Sequence, residues 1–124
     1  MQLDGYVEAS SLKKVVDFLN DEHIVLLTLD EIDLKFLKSR KKVRLFSGLT
    51  QKRYYISLFF IKQKGRFLRK NADEIIDLEK RLEEYKNRVY KIKYLFISSP
   101  MCSKAKSFLR DNRWKIVEVK DDTL

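Results

Sequence analysis

The chain has 124 residues, 27 Lys and Arg against 18 Asp and Glu, a formal net charge of +9, and 44% hydrophobic residues. That size suits one domain spanning residues 1–124 with one core, and three Gly with one Pro favour long regular elements over a loop-rich fold. One Cys and one His exclude a disulfide framework, a cysteine-based zinc site and a His-rich metal site, and weigh against a Ser-His-Asp hydrolase. With no signal-like start and no long apolar run, the expectation is a cytoplasmic protein that does not enter a membrane.

Residues 9–21 read as a helix, with Ser10 or Ser11 as cap and Leu12, Val15, Val16 and Leu19 on one face. The apolar run His23 to Leu29 predicts a buried strand. Asp30 to Lys38 fits a strand through Ile32, Leu34 and Phe36, and fits a helix equally well. Lys42 to Phe46 predicts a strand, and Ser47-Gly48 signals a turn. Arg53 to Lys62 is the strongest strand, apolar on both faces, and is therefore placed at the centre of a sheet covered on both sides. Asn71 opens a long helix with Glu74 three residues on, and Ile75, Leu78, Leu82, Tyr85 and Val89 form its apolar stripe. Asp77–Arg81 and Glu84–Arg88 are i,i+4 pairs on its wet side. Tyr94 to Ile97 reads as a buried strand, Ser99-Pro100 as a helix start anchored by Ala105, Phe108 and Leu109, and Trp114 to Val119 as a last strand.

Helices between the late strands imply parallel pairing there, whereas the early strands follow short turns and pair antiparallel. The predicted class is α/β, a single mixed sheet flanked by helices.

Charge is concentrated in one place. From Leu34 to Lys70 there are thirteen Lys and Arg and no Asp or Glu, so the rest of the chain is net −4. The run is interleaved with apolar residues such as Phe46, Ile56 and Phe59, and can fold with its charges fixed. A folded surface of one sign attracts polyanions, nucleic acid first among them. Residues expected to meet phosphates are Arg40, Lys41, Lys42, Arg44, Lys52, Arg53, Lys64, Arg66 and Arg69. The competing explanation is a solvated, solubilising face. Tyr54 and Tyr55 suit either base stacking or sheet packing. His23 is read as structural or surface, Cys102 as a buried, inert thiol, and Trp114 as a core or dimer anchor.

The element order, with DEIIDLEKRLEEY, KYLFISS, SKAKSFL and WKIVEVK in the carboxyl half, resembles the restriction-endonuclease-like (PD-(D/E)xK) superfamily. It is similar to the cores of archaeal-type single-strand endonucleases and Holliday-junction resolvases. The resemblance spans roughly residues 9–120 and implies an αβββαβ core with an added αβ. It also implies a carboxylate on one strand and a Glu-x-Lys on the next, holding Mg²⁺. Residues i and i+2 of a strand share a face, so that Glu and Lys meet the metal together. Here Lys62 occupies the Lys position and Phe60 stands where the Glu would be. Asp33 resembles the preceding acid, and Asp73, Glu74 or Asp77 are candidates for a relocated one. Glu118-Val119-Lys120 is a literal Glu-x-Lys on the wrong strand.

The leading expectation is a nucleic-acid-binding protein, for DNA or RNA, on a nuclease-like fold with weak or lost cleavage. One alternative is an active Mg²⁺-dependent endonuclease using Asp33, Lys62 and a relocated carboxylate. The other is a non-catalytic structural or assembly protein, with a homodimer left open.

Overall fold

The computed structural model describes residues 6–39 and 43–119, with side chains from Lys13 onward. Helix α1 (Tyr6–Asp21) leads into strands β1 (Leu26–Ile32), β2 (Val43–Thr50) and β3 (Tyr55–Lys62). Helix α2 (Arg69–Lys86), strand β4 (Ile92–Ser98), helix α3 (Ser103–Asp111) and strand β5 (Trp114–Glu118) follow. The five strands lie in the order β1-β2-β3-β4-β5. The first three pair antiparallel, and β4 and β5 join in parallel. This is the expected α/β architecture, with the antiparallel-to-parallel change at β3.

β3 is central because both its faces are apolar. Ile56, Leu58 and Phe60 pack with Val15 and Leu19 of α1, Phe46, Tyr94 and Phe96. Phe59 and Ile61 pack on the opposite side with Ala72, Ile75, Leu78 and Leu82 of α2 and Ala105 and Leu109 of α3. The result is three layers: α1, the sheet, and the α2–α3 pair. Each fully buried Leu, Ile or Phe contributes roughly 1.5–3 kcal/mol.

Several element ends differ from the sequence reading, each for a local reason. α1 begins at Tyr6, so Ser10 and Ser11 lie within it rather than at its cap; Glu8 and Ala9 are good helix formers. Residues 22–24 terminate α1, with His23 left-handed (φ 64°) and the Ile24 N–H bonded to the Leu19 carbonyl at 2.8 Å. This moves β1 to Leu26–Ile32. The ambiguous stretch divides: strand to Ile32, then a short 3-10 helix, Leu34–Leu37. Ser47-Gly48 is not a turn. β2 continues to Thr50, and Gly48 is required because a Cβ there would lie 2.7 Å from the Thr28 carbonyl oxygen. The reversal falls at residues 51–53, with Arg53 left-handed (φ 71°).

α2 starts two residues before Asn71, whose side-chain oxygen accepts the Leu68 N–H at 2.8 Å. It stops at a left-handed Asn87, so Val89 lies beyond it and is exposed; Tyr85, within the helix, is also exposed and stacks on Phe36 at 5.5 Å rather than entering the core. The Asp77–Arg81 pair forms at 3.1 Å. α3 starts at Ser103, capped by the Cys102 Sγ accepting the Ala105 N–H, and not at Ser99-Pro100. Trp114 is core, edge-on to Phe59 at 5.1 Å.

Candidate nucleic-acid interface

Three parallel strands end side by side, and their loops enclose a cleft of about 850 Å³. Lys62 and Lys64 line it from the β3 exit, Ser98 and Ser99 from β4, and Glu118 from β5. Clefts at the carboxyl ends of strands are the usual ligand position in open α/β sheets.

Its rim is stitched together. The Ser99 hydroxyl and the Gln63 amide both donate to the Gly65 carbonyl, at 2.7 and 3.1 Å. The Phe67 N–H donates to the Pro100 carbonyl at 2.7 Å, and the Cys102 N–H to the Phe67 carbonyl at 3.0 Å. Phe67 and Met101 are buried beneath. Arg69 lays its guanidinium on the Phe108 ring at 3.5 Å and pairs with Asp73 at 3.5 Å.

Phe60 shares the strand face of Lys62. It is 8% exposed, stacked on Phe96 at 5.0 Å, and edge-on to Phe46 at 5.4 Å. Phe96 stacks in turn on Tyr94, and Phe18 of α1 caps both edge-on. An aromatic layer therefore fills the position of the expected acid. Opposite Phe60 on β2 is Arg44. Its guanidinium makes a bidentate bond to Glu31 at 3.0 and 2.9 Å and lies over Phe46.

The other acids are engaged locally. The Asp33 carboxylate accepts the Lys35 N–H at 2.9 Å and caps the 3-10 helix. Glu118 pairs with Lys106 at 2.9 Å. Glu74 lines a second cleft of about 380 Å³ together with Lys62 and Asn71. Among the described residues, no three His, Cys, Asp or Glu side chains are grouped to hold a metal ion. The side chains around Lys62 therefore do not fit the Mg²⁺ site that the resemblance implies.

Of the expected phosphate contacts, Lys64 and Arg66 stand exposed at the rim, with Arg69 close behind. Arg40, Lys41 and Lys42 lie outside the described residues. Lys52 and Arg53 do not join Arg44. The antiparallel β2–β3 pairing carries Arg44 to the Lys62 end of β3 and leaves Lys52 and Arg53 at the other.

One polar group was not anticipated. Glu79 of α2 is 3% exposed, accepts a hydrogen bond from the Ser57 hydroxyl at 3.1 Å, and lies 2.8 Å from the Lys93 ammonium. Burial lifts its carboxyl above the ordinary value of 4.5, although Lys93 and Ser57 pull the other way. Its spacing from Ile75 and Leu82, four and three residues, was the available signal. Among the described residues, no helix is long and apolar enough to cross a membrane.

No family model and no curated protein matches the chain. Three solved structures do. A repair endonuclease from Pyrococcus abyssi superposes with a TM-score of 0.54 at 11% identity, over 97% of this chain and 50% of that one. EndoMS in its apo form gives 0.56 at 15% identity, over 97% and 49%. EndoMS in complex with double-stranded DNA gives 0.50 at 15%, over 97% and 47%. The chain thus spans about half the length of the structures it matches. At these identities the likeness concerns the backbone alone: the chain has an α/β fold, a five-stranded mixed sheet with three helices, that matches these endonuclease structures, in keeping with the expected nuclease-like fold.

Proposed function

We propose that this chain binds nucleic acid at the cleft beyond β3, β4 and β5, and that cleavage there is weak or lost. The observation that carries the reading is the cationic rim. Lys62, Lys64, Arg66 and Lys70 are all exposed, and none is ion-paired among the described residues. Four such cations on a fixed frame suit a phosphate backbone, which supplies most of non-specific affinity. That one superposable structure is a complex with double-stranded DNA is consistent with it.

The chemistry follows from Phe60. A phenyl ring in a closed aromatic stack neither binds a cation of the Mg²⁺ type nor orients water, while Lys62 stands exposed at the strand exit. The proposed remnant of the site grips without cutting. An anisotropy titration with DNA and RNA tests this across a salt series. Tight binding at about 50 mM salt that falls steeply by about 200 mM is expected. No binding at the lower salt overturns the proposal.

A second reading has one observation in its favour: Glu74 lines the same smaller cleft as Lys62. If Glu74 with Asp33 replaces the missing acid, Mg²⁺ or Mn²⁺ will support nicking of branched or single-stranded DNA, and Glu74→Ala or Asp33→Ala will abolish it. Unimpaired nicking by both variants discards these assignments.

A further inference from the structure

The amino ends of the same parallel strands carry a second cationic surface, built from residues far apart in sequence. Arg53 precedes β3, Lys91 precedes β4, and Arg113 and Lys115 flank the start of β5. The register sets these starts side by side: Ile56 pairs with Ile92, Lys93 with Trp114, and the Lys91 N–H bonds to the Tyr55 carbonyl at 3.1 Å. Lys52 adjoins them in the β2–β3 turn.

All five cations are exposed, and none is ion-paired among the described residues. Near the cleft, by contrast, Arg44, Arg69 and Lys106 each have a carboxylate. The acids at this end are Asp21 and Glu22 closing α1, Glu83 and Glu84 in the last turn of α2, and Asp111 closing α3; none pairs with the five cations among the described residues, and Glu83 accepts the Tyr90 N–H at 3.1 Å. Lys91 holds its ammonium 4.2 Å from the centre of the Tyr54 ring, and Tyr54 remains 39% exposed. A cavity of about 240 Å³ opens there, with Lys52, Tyr54 and Lys115 on its wall and Glu22 its acid. Like charges gathered without a directly paired carboxylate repel one another, and an external polyanion relieves the repulsion.

The two cationic surfaces lie at opposite ends of β3. Eight extended residues set them about 23 Å apart, with helices covering both faces of the sheet between. We infer that this end is a second phosphate-binding surface, so that one chain holds two separate segments of nucleic acid. The inference rests on the nucleic-acid reading of the cleft and extends it from gripping to bridging.

The test mixes the 124-residue chain with donor- and acceptor-labelled short duplexes. Energy transfer between duplexes, with one chain per particle by mass photometry, is the expected result. Converting Lys52, Arg53, Lys91 and Lys115 to Gln should abolish transfer and reduce stoichiometry from two duplexes per chain to one. The lost step should have a salt slope of about −3.6, for four phosphate contacts. The single changes Lys52→Gln and Lys115→Gln, each lowering transfer several-fold, give the same reading with less perturbation. Transfer that survives the fourfold change, or that requires two chains per particle, overturns the inference and leaves the cleft reading intact. Converting Lys64, Arg66 and Lys70 to Gln should remove the other duplex; unchanged affinity there overturns the cleft reading instead.

Discussion

Phe60 and Phe96 lie face to face across the parallel β3–β4 pair, 5.0 Å apart with their planes 12° from parallel. Their contact occupies the position where the family resemblance led us to expect a metal-binding carboxylate. Reinstating the acid should therefore not reinstate the chemistry. Phe60→Glu buries a carboxylate among Phe46, Phe96 and α1, and should cost about 3–5 kcal/mol in urea unfolding. Gel assays with Mg²⁺ or Mn²⁺ should show no gain in cleavage; vigorous cutting by this variant would show that the site lacked only that one group.

The cationic rim can be titrated by charge removal. Lys64→Gln with Arg66→Gln should weaken DNA binding and make the salt slope less negative by about 1.8, with thermal stability changed by under about 0.5 kcal/mol. An unaltered slope would mean that these side chains do not meet phosphate.

Glu79 gives the fold a pH signature opposite to ordinary acid denaturation. Its folded-state carboxyl is raised by burial, so the folded chain holds that proton more tightly than the unfolded chain. The stabilising contribution is full below the ordinary value of 4.5 and is lost as pH rises through the raised value, with no further change above it. Urea midpoints for Glu79→Gln should lack this component when compared with wild type across the acid range.

The same residue predicts a mutational asymmetry. Glu79→Ala leaves the Lys93 ammonium half-buried without its partner and should cost about 3 kcal/mol, while Glu79→Leu with Lys93→Met should recover most of it. A cycle of urea melts measures the difference.

Gly48 offers a purely steric test. Gly48→Ala places a methyl against the Thr28 carbonyl, and should destabilise by about 1–3 kcal/mol despite the better strand propensity of Ala. Retained stability would mean that β1 can move away from β2.

Much of this was legible in the sequence. The centrality of β3 followed from apolar residues on both its faces, and the parallel half from the helices between its strands. Local punctuation was less informative, because one residue type serves several physical needs. Gly48 looked like a turn yet answers a close approach between strands. Ser99-Pro100 looked like a helix start, but Ser99 is used to tie two loops together. The charge run was plain; its division between two ends of the sheet was not, since that depends on which way β2 runs beside β3. Lys91, Arg113 and Lys115 lie outside the run and join Lys52 and Arg53 only through strand register. Phe60 was visible as a departure, but its aromatic neighbours come from three other elements, α1, β2 and β4.

The hydrogen bonds that tie Gly65 to Ser99 and Phe67 to Pro100 and Cys102 also bear on how association proceeds. A rim held in place before any ligand arrives has little left to order on contact. Encounter should then be governed by long-range attraction rather than by loop closure, with association rates that rise as salt is lowered and a small heat-capacity change. If the proposed nucleic-acid reading holds, the cleft should select by the spacing of phosphates, as a rigid calliper would, rather than by adapting to them.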